Sequence, residues 1–337
     1  MVTNPDWLAA LEAVADEASF SGLIGIDRPG LPPIDLAIGL ADRRWLVPVR
    51  SDSILAIASG AKGFTALTVM SLVVDGTLSL DTTARSLLGA DLPHVADDVT
   101  VRHLLGHRSG IGDYLDESEL EVTDYVLPDP VHRYVDAEDY LPALDGHPTV
   151  FPADERFAYN NGGFVLLAIL EQRAAGLPYH QLVHDRVIAP AGMVDTAFQR
   201  SDAPQPRTAT NYLEADGLRT NQLHMPLRGV GDGGLFTTLA DLRSFWAALL
   251  AGRIVPSDVV AEMTLPRSEP PDDDRRYGLG FWLPAGGDAI QLEGYDAGIS
   301  FLSTCRPSTG AVTTVISNWT DGVWPIVRFL REVDAGG

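Results

Sequence analysis

Lysine is almost absent from this chain, whose 337 residues include a single lysine, Lys62, against 23 arginines. Arginine therefore supplies nearly all of the cationic side chains. A guanidinium keeps its proton at any physiological pH, whereas a partly buried ammonium can release its proton near neutrality. Proton transfer is thus the one task that arginine cannot take over from lysine, and the sequence predicts that Lys62 carries a proton.

Cysteine and long apolar runs are also scarce. The only cysteine, Cys305, excludes an intramolecular disulfide, and its strand-like surroundings at 301–305 predict a buried, inert thiol. No run approaches the roughly 18 to 20 apolar residues that a membrane-spanning helix needs. The first 19 residues lack both a basic start and an uninterrupted apolar stretch, so no signal peptide is expected. These observations predict a cytoplasmic protein.

Acidic residues outnumber basic ones, 46 to 24, and the formal net charge is -22. Nucleic acids and anionic membranes select basic surfaces, so neither is an expected partner. Hydrophobic residues make up 45% of the chain and charged residues 21%, which is typical of a globular protein. The length favours two lobes or one domain that carries an insertion.

Strand patterns occur near both ends of the chain, and helical patterns dominate between them. The predicted strands are 23–27, 34–41, 278–283, 290–293, 299–305 and 311–317. The proline- and aspartate-rich stretch 268–276 is expected to be a solvated loop. We therefore predict an α/β fold of the α+β type, in which an antiparallel sheet built from both chain ends is flanked by helices. Residues 1–78 and 225–337 would form this sheet domain, and residues 79–224 a mainly helical inserted domain.

Ser59 precedes Lys62 by three residues, at the start of an apolar stretch that predicts a buried helix ending near Asp75-Gly76. Residues three apart lie on one face of a helix, so the amine is within reach of the hydroxyl. A neutral lysine beside a helix N-terminus can accept the serine proton. A serine that merely caps a helix is the alternative explanation of this short pattern.

A second candidate element is the segment 159–163, YNNGG, which precedes the apolar helix predicted at 164–174. Tyr159 could relay a proton, and the carboxamide of Asn161 could orient the lysine or hold a substrate carbonyl. Taken alone, the fragment favours an ordinary Asn-Gly turn with a packing tyrosine.

Four motifs appear in the order found in serine β-lactamase-like proteins: SGAKGFTA at 59–66, VTVRHLLGHRSGI at 99–111, YNNGGF at 159–164 and GGLFTT at 233–238. The chain resembles the branch that contains class C β-lactamases, D-Ala-D-Ala peptidases and family VIII carboxylesterases. The resemblance implies that Ser59 is the nucleophile, that Lys62 is its base, and that Tyr159 and Asn161 form the Tyr-x-Asn element.

The third motif of this family is normally Lys-Thr-Gly or His-x-Gly on a strand beside the nucleophile. The best candidate here is 294–298, GYDAG, which places Tyr295 at the basic position and an oxyanion-binding N–H near Gly298. Loss of a cation that helps to hold the substrate carboxylate argues against antibiotic hydrolysis.

The sequence therefore predicts a serine hydrolase that forms a covalent acyl-enzyme, with a small uncharged carboxylic ester as substrate and no cofactor. One alternative is a D-amino-acid peptidase, amidase or weak β-lactamase that uses the same site. Another is a penicillin-binding-like module that acylates once, or a transacylase. No metal site is expected, because the i,i+4 histidine pairs 103/107 and 180/184 lack the glutamate of a His-Glu-x-x-His motif.

Overall fold

The computed structural model describes residues 6–116, 121–269 and 274–335. The helices in these ranges are α1 Asp6–Glu17, α2 Ala61–Val74, α3 Ala84–Leu88, α4 Val101–Leu105, α5 Leu141–Leu144, α6 Asn161–Ala175, α7 Tyr179–Val183, α8 Ala189–Ala191, α9 Leu239–Leu250, α10 Ser257–Met263 and α11 Val323–Ala335. The strands are β1 Gly22–Asp27, β2 Ile34–Ile38, β3 Leu40–Asp42, β4 Val47–Pro48, β5 Leu55–Ala56, β6 Ala197–Phe198, β7 Leu235–Thr237, β8 Arg275–Tyr277, β9 Trp282–Pro284, β10 Ile290–Asp296, β11 Ile299–Arg306 and β12 Ala311–Ser317.

The main sheet has seven strands in the order β2-β1-β12-β11-β10-β9-β8, and every neighbouring pair is antiparallel. The first strand thus pairs with the last, with Gly22 opposite Ser317 and Asp27 opposite Val312. The prediction of an antiparallel sheet built from both chain ends and flanked by helices is confirmed. The division into two domains stays a prediction.

Successive residues of a strand face opposite sides of a sheet, so each strand of this sheet contributes to two cores. Leu23 and Ile316 face the larger core, which includes Phe64 of α2 and Phe245 of α9. Ile24 lies in a second core together with apolar residues of α1 and α11. The sheet is therefore covered on one face by α2 and α9 and on the other by the helices of the two chain ends.

The strand prediction at 278–283 is wrong over its first four residues. Gly280 has a φ of +87°, and a Cβ at this position would overlap the Cβ of Ala66 on α2. This left-handed conformation ends the extended run, so β9 begins only at Trp282. In contrast, β10 continues past the predicted end at 293 as far as Asp296.

The stretch 268–276 is not a uniformly solvated loop. The side chain of Ser268 is buried and donates a hydrogen bond of 2.9 Å to the Gly106 carbonyl, and Arg275 begins strand β8. Residues 270–273 lie outside the described residues. No helix in the described parts of the chain has the length and apolar character that crossing a bilayer requires.

Candidate active site

Ser59 lies in a 3-10 turn, Ala58–Gly60, that leads directly into α2. Residues 53–58 and 60–70 are buried, whereas Ser59 is partly exposed. Ala58, just before it, has a φ of +44°, a conformation that is uncommon outside glycine and that marks local strain. The buried turn therefore presents a single accessible hydroxyl at the start of a core helix, as the sequence predicted.

Two glycines allow the sheet to approach this turn closely. A Cβ on Gly60 would lie 2.5 Å from the Phe301 ring of β11, and a Cβ on Gly63 would overlap the side chain of Leu292 on β10. A side chain at either position would separate α2 from the strands. The glycine spacing of the SGAKG motif thus sets the distance between the nucleophile and strands β10 and β11.

The amine of Lys62 is buried and has three hydrogen-bonding partners. Its Nζ lies 2.8 Å from Ser59 Oγ, 2.8 Å from Asn161 Oδ1 and 2.9 Å from the Asp232 carbonyl oxygen. The last two atoms can only accept hydrogen bonds. A neutral amine has two N–H groups to satisfy them, and its lone pair is then directed at Ser59. An ammonium fits the same three positions, so a proton can pass from Ser59 to Lys62 without rearrangement of the surroundings.

Asn161 is held in one orientation by both ends of its amide. Its Nδ2 donates to the Leu115 carbonyl at 3.2 Å, which turns Oδ1 toward Lys62. Asn161 is also the first residue of α6, and the preceding Asn160 caps that helix by accepting a hydrogen bond of 2.6 Å from the Gly163 N–H. The segment therefore begins a helix, and it presents the Asn161 amide to the lysine.

Tyr159 stands beside the lysine with its ring partly exposed. The Lys62 Nζ lies 4.9 Å from the centre of the Tyr159 ring, which stacks on Trp282 at an interplanar angle of 15°. Ser59, Lys62, Tyr159 and Asn161, called the Ser59 cluster below, are thus brought together from two segments of the chain about 100 residues apart.

The structure adds two partly buried carboxyl groups and a phenol that the sequence analysis missed. Asp113 accepts hydrogen bonds from the N–H groups of Asn161 at 2.7 Å and Gly162 at 2.8 Å, at the N-terminus of α6. Burial raises the pKa of Asp113 from about 3.8 to about 7, against the effect of these bonds. Asp232, whose carbonyl holds Lys62, accepts a bond of 2.6 Å from the Tyr114 hydroxyl through its carboxyl group.

Burial raises the pKa of the Asp232 carboxyl as well, while the nearby Lys62 acts to lower it. Of the two, Asp232 had the clearer sequence signal, because it interrupts the glycine-rich segment 229–234. A carboxyl group within such a flexible segment is a reasonable candidate for a site residue.

His107 supports the cluster from behind. It is buried, and its Nδ1 accepts a hydrogen bond of 3.1 Å from the Asn160 N–H. Burial, and to a lesser extent the charge of Lys62, holds the pKa of the imidazole well below its ordinary value. The neutral ring packs against Tyr159 and Phe164, so His107 acts as a structural support of the loop.

The predicted third motif requires correction. The side chain of Tyr295 lies on the other side of the sheet, where its ring packs on Trp324 of α11 and its hydroxyl donates a bond of 3.1 Å to Asp321. It therefore does not occupy the basic position of the family motif. The Gly298 N–H is also unavailable to an oxyanion, because it donates to Thr320 Oγ1 at 2.9 Å. The register was misjudged, since Gly294 is the glycine that contacts the nucleophile turn: its Cβ would overlap the Ile57 carbonyl and lie 3.1 Å from the Gly60 nitrogen.

Comparisons with known proteins agree with this geometry. The family model described as Beta-lactamase matches residues 18–327. The chain is 29% identical to a penicillin-binding protein from Bacillus halodurans of known structure, with a TM-score of 0.88 over 96% of this chain and 99% of that one. It is 25% identical to a D-amino acid amidase from Ochrobactrum anthropi SV3, with a TM-score of 0.80 over 98% of this chain and 100% of that one.

Among curated proteins, esterase EstB of Burkholderia gladioli is 35% identical over 201 residues, which are 56% of this chain and 51% of the esterase. The chain thus aligns with only about half of that relative. The family match, in contrast, includes β1 and β12 of the sheet, the helix that begins after Ser59 and the loop that carries Tyr159 and Asn161. The chain therefore belongs to the β-lactamase family, whose fold carries serine hydrolases.

Proposed function

We propose that this protein is a serine hydrolase that forms a covalent acyl-enzyme and acts on small, uncharged carboxylic esters. The observation that carries the proposal is the placement of the Lys62 amine. Two of its bonding directions are taken by obligate acceptors, Asn161 Oδ1 and the Asp232 carbonyl, and the third is directed at Ser59 Oγ at 2.8 Å. This is the arrangement that a base needs in order to activate a serine.

In the acylation step, Ser59 Oγ passes its proton to Lys62 and attacks the ester carbonyl carbon. The tetrahedral intermediate then expels the alcohol, which takes up a proton from Lys62 directly or through Tyr159. Water enters in place of the alcohol, loses a proton to the same pair and attacks the acyl carbonyl carbon. The bond from that carbon to Ser59 Oγ then breaks, Ser59 Oγ takes the proton back, and the acid leaves. Lys62 and Tyr159 are neighbours, so we treat them as one coupled acid-base unit.

We further propose that the oxyanion is bound by the N–H groups of Ser59 and Tyr295. Gly294 contacts the nucleophile turn, and Tyr295 is the next residue on β10. The β10–β11 hairpin pairs Asp296 with Ile299 and Tyr295 with Ser300. In an antiparallel hairpin with a two-residue turn, the two residues that flank the turn, here Asp296 and Ile299, form a hydrogen-bonded pair. The residues of the following pair, here Tyr295 and Ser300, direct their N–H groups away from the partner strand. The Tyr295 N–H would then point away from β11, and this role needs the backbone of Tyr295, not its ring.

The charges around the cluster favour an uncharged substrate over one with a carboxylate. Asp113 and Asp232 lie behind it, and Asp296 ends β10 with the same facing as Gly294. These three carboxyl groups all act to raise the pKa of Tyr125, which shows that they share one region. At the position of the family's basic residue the strand carries Leu292, which packs against Gly63. A substrate carboxylate would therefore meet acidic groups and would find no cation at position 292. Because the protein has a net charge of -22, it would repel nucleic acids and anionic membranes, and we also propose that neither is a partner.

A side-by-side assay of p-nitrophenyl esters, D-amino-acid p-nitroanilides and nitrocefin tests the proposal. We expect turnover of acetyl and butyryl esters to exceed that of the other two substrates, and we expect Ser59→Ala to abolish it together with labelling by a serine-reactive phosphonate. Ser71→Ala, on the same helix, is the matched control and should retain activity. Phosphonate labelling that persists in Ser59→Ala would overturn the assignment of the nucleophile.

A second candidate is the hydrolysis of D-amino-acid amides. The Asp296 carboxylate favours it, because this group could pair with the ammonium of such a substrate, and the similarity to the D-amino acid amidase points the same way. Faster turnover of D-amino-acid p-nitroanilides than of uncharged esters would select this activity. A burst without steady-state turnover would instead indicate a module that acylates once, and product partitioning to an added alcohol would indicate a transacylase.

A further inference from the structure

A cavity of about 410 Å³ lies in the helical part of the molecule, apart from the Ser59 cluster, and this volume is within the usual range for small-molecule sites. Its walls come from α7, from β6 and from a π-helical turn, His184–Ile188, that continues α7. Such turns are rare and often mark functional sites. The apolar side of the cavity is formed by Pro178, Ile188 and Phe198.

Arg228 brings a cation to this cavity. Its Nε donates a hydrogen bond of 3.0 Å to the Phe198 carbonyl, which fixes the guanidinium at the wall. Within the described ranges no carboxylate lies at ion-pair distance from it. Burial lowers the pKa of the guanidinium from its ordinary value, and Asp136 opposes this effect only through its charge. An arginine that is partly buried, fixed and without a paired carboxylate is suited to bind a carboxylate with both Nη atoms.

The cavity also offers hydrogen-bond acceptors. His180 Nε2 lies 2.8 Å from the Gly229 carbonyl and must donate to it, so Nδ1 of the neutral ring is an acceptor. Burial lowers the pKa of His180 to about 4, and the ring is therefore uncharged at neutral pH. Its Nδ1 lies 3.8 Å from Asp136 Oδ1, a second acceptor. A cationic donor such as an ammonium group would satisfy both atoms.

We propose that this cavity binds a small apolar α-amino acid as a zwitterion. The carboxylate pairs with Arg228, the ammonium lies between Asp136 and His180, and the side chain packs against Phe198 and Ile188. We further infer that the bound ligand affects the Ser59 cluster indirectly, through the segment that Arg228 begins. In this segment the Gly229 carbonyl accepts a hydrogen bond from His180, and the Asp232 carbonyl accepts one from Lys62. Gly229 packs tightly on Gly233 and Gly234, so a shift at one end of this segment is passed to the other. This second part rests on the proposed function of Lys62; the binding site itself does not.

Isothermal titration calorimetry on enzyme whose Ser59 carries a phosphonate separates this cavity from the catalytic site. We expect L- or D-phenylalanine to bind, and both N-acetylphenylalanine, which lacks the ammonium, and phenethylamine, which lacks the carboxylate, to bind at least about tenfold more weakly. Arg228→Gln should weaken phenylalanine binding about ten- to a hundredfold. Asp136→Asn, which still allows the side chain to cap its 3-10 turn, should weaken phenylalanine binding but not N-acetylphenylalanine binding.

Arg200→Gln is the matched control, because Arg200 pairs with Asp202 outside the cavity. Equal binding of phenylalanine to Arg228→Gln and Arg200→Gln, with unchanged thermal unfolding, would overturn the site. In unmodified enzyme, phenylalanine should change kcat without competing with the ester, and the effect should vanish in Arg228→Gln. Competitive inhibition that survives in Arg228→Gln would place the amino acid in the catalytic site and refute the link.

Discussion

Replacement of Lys62 by arginine tests the proposed chemistry most directly, because it keeps a cation and removes the base. An arginine cannot accept the Ser59 proton at any working pH. Its planar guanidinium must also fit a buried position where Asn161 Oδ1 and the Asp232 carbonyl converge on one nitrogen. We therefore expect Lys62→Arg to be nearly as inactive as Lys62→Met.

The size of the loss follows from the contacts. General-base catalysis contributes about 10² to 10⁴ in rate, and a displaced nucleophile turn adds to this. We expect kcat/KM for p-nitrophenyl acetate to fall at least about 10³-fold, which corresponds to about 4 kcal/mol of barrier. In Lys62→Met, Asn161 Oδ1 and the Asp232 carbonyl also lose their donor, at a cost of about 1–3 kcal/mol each in the free energy of unfolding. Urea unfolding separates this cost from the catalytic loss.

The scarcity of lysine makes an independent measurement possible. In protein labelled with [13C]lysine, every Cε signal comes from Lys62. We expect this signal to titrate over the same pH range in which kcat/KM changes. A Cε shift that stays constant across that range, or a Lys62→Arg enzyme that keeps more than about a tenth of the activity, would refute the role of Lys62 as the base.

Three further changes test the surroundings of the cluster. Burial raises the pKa of Asp113 from about 3.8 to about 7, so the folded state binds this proton more tightly than the unfolded state. The free energy of unfolding should therefore fall by up to about 4 kcal/mol as the pH rises from about 4 to 7. Urea unfolding of Asp113→Asn should show a flatter pH profile. A Cβ in Gly294→Ala would overlap the Ile57 carbonyl and force β10 away from the nucleophile turn, so we expect kcat/KM to fall at least about a hundredfold. In contrast, the added Cβ of Gly287→Ala would meet only Arg306, at 3.7 Å, and this change should be neutral. Glu171 is fully buried, and its carboxyl oxygens have no hydrogen-bond partner among the described residues. Burial raises the pKa of this carboxyl well above its ordinary value, so keeping it in the core costs more at pH 8 than at pH 5. Glu171→Met should therefore raise the urea midpoint at pH 8 by more than at pH 5.

Each of these expectations can fail separately. A pH profile of Asp113→Asn parallel to that of the wild type would mean that this carboxyl is ionised in the folded state at acidic pH. An active Gly294→Ala enzyme would show that β10 can move without loss of the oxyanion site. A Glu171→Met protein that is less stable at pH 8 would mean that Glu171 makes a favourable interaction in solution.

The sequence predicted those parts of the molecule that depend on local pattern. The apolar strand patterns located most strands of the main sheet, and the three-residue spacing placed Lys62 on the same face as Ser59. The Tyr-x-Asn element was also located, because its residues begin an apolar helix. Family resemblance supplied the roles of these residues.

What the sequence could not give depends on contacts between distant segments. Asp113 meets the N-terminus of α6 across 48 residues, and the Asp232 carbonyl meets Lys62 across 170. Neither carboxyl lies in a spacing that predicts its partner. The third motif failed for a related reason: a shift along β10 moves each side chain to the other face of the sheet, so only the contact of Gly294 with the nucleophile turn fixes the register.

The two missed carboxyl groups change how the base must be understood. Lys62 is buried near the Asp232 carboxyl. Burial raises the pKa of this carboxyl, and the charge of Lys62 acts to lower it. In the proposed mechanism, the ammonium that forms when Ser59 releases its proton to Lys62 lies near the Asp232 carboxyl, whose position is fixed by the Tyr114 hydroxyl. His107 is kept neutral by burial and by Lys62, and it adds no competing charge. We therefore expect the pH dependence of acylation to depend on Asp232 as well as on Lys62 and Tyr159, and the Cε titration of the one lysine should report the midpoint of this coupled group.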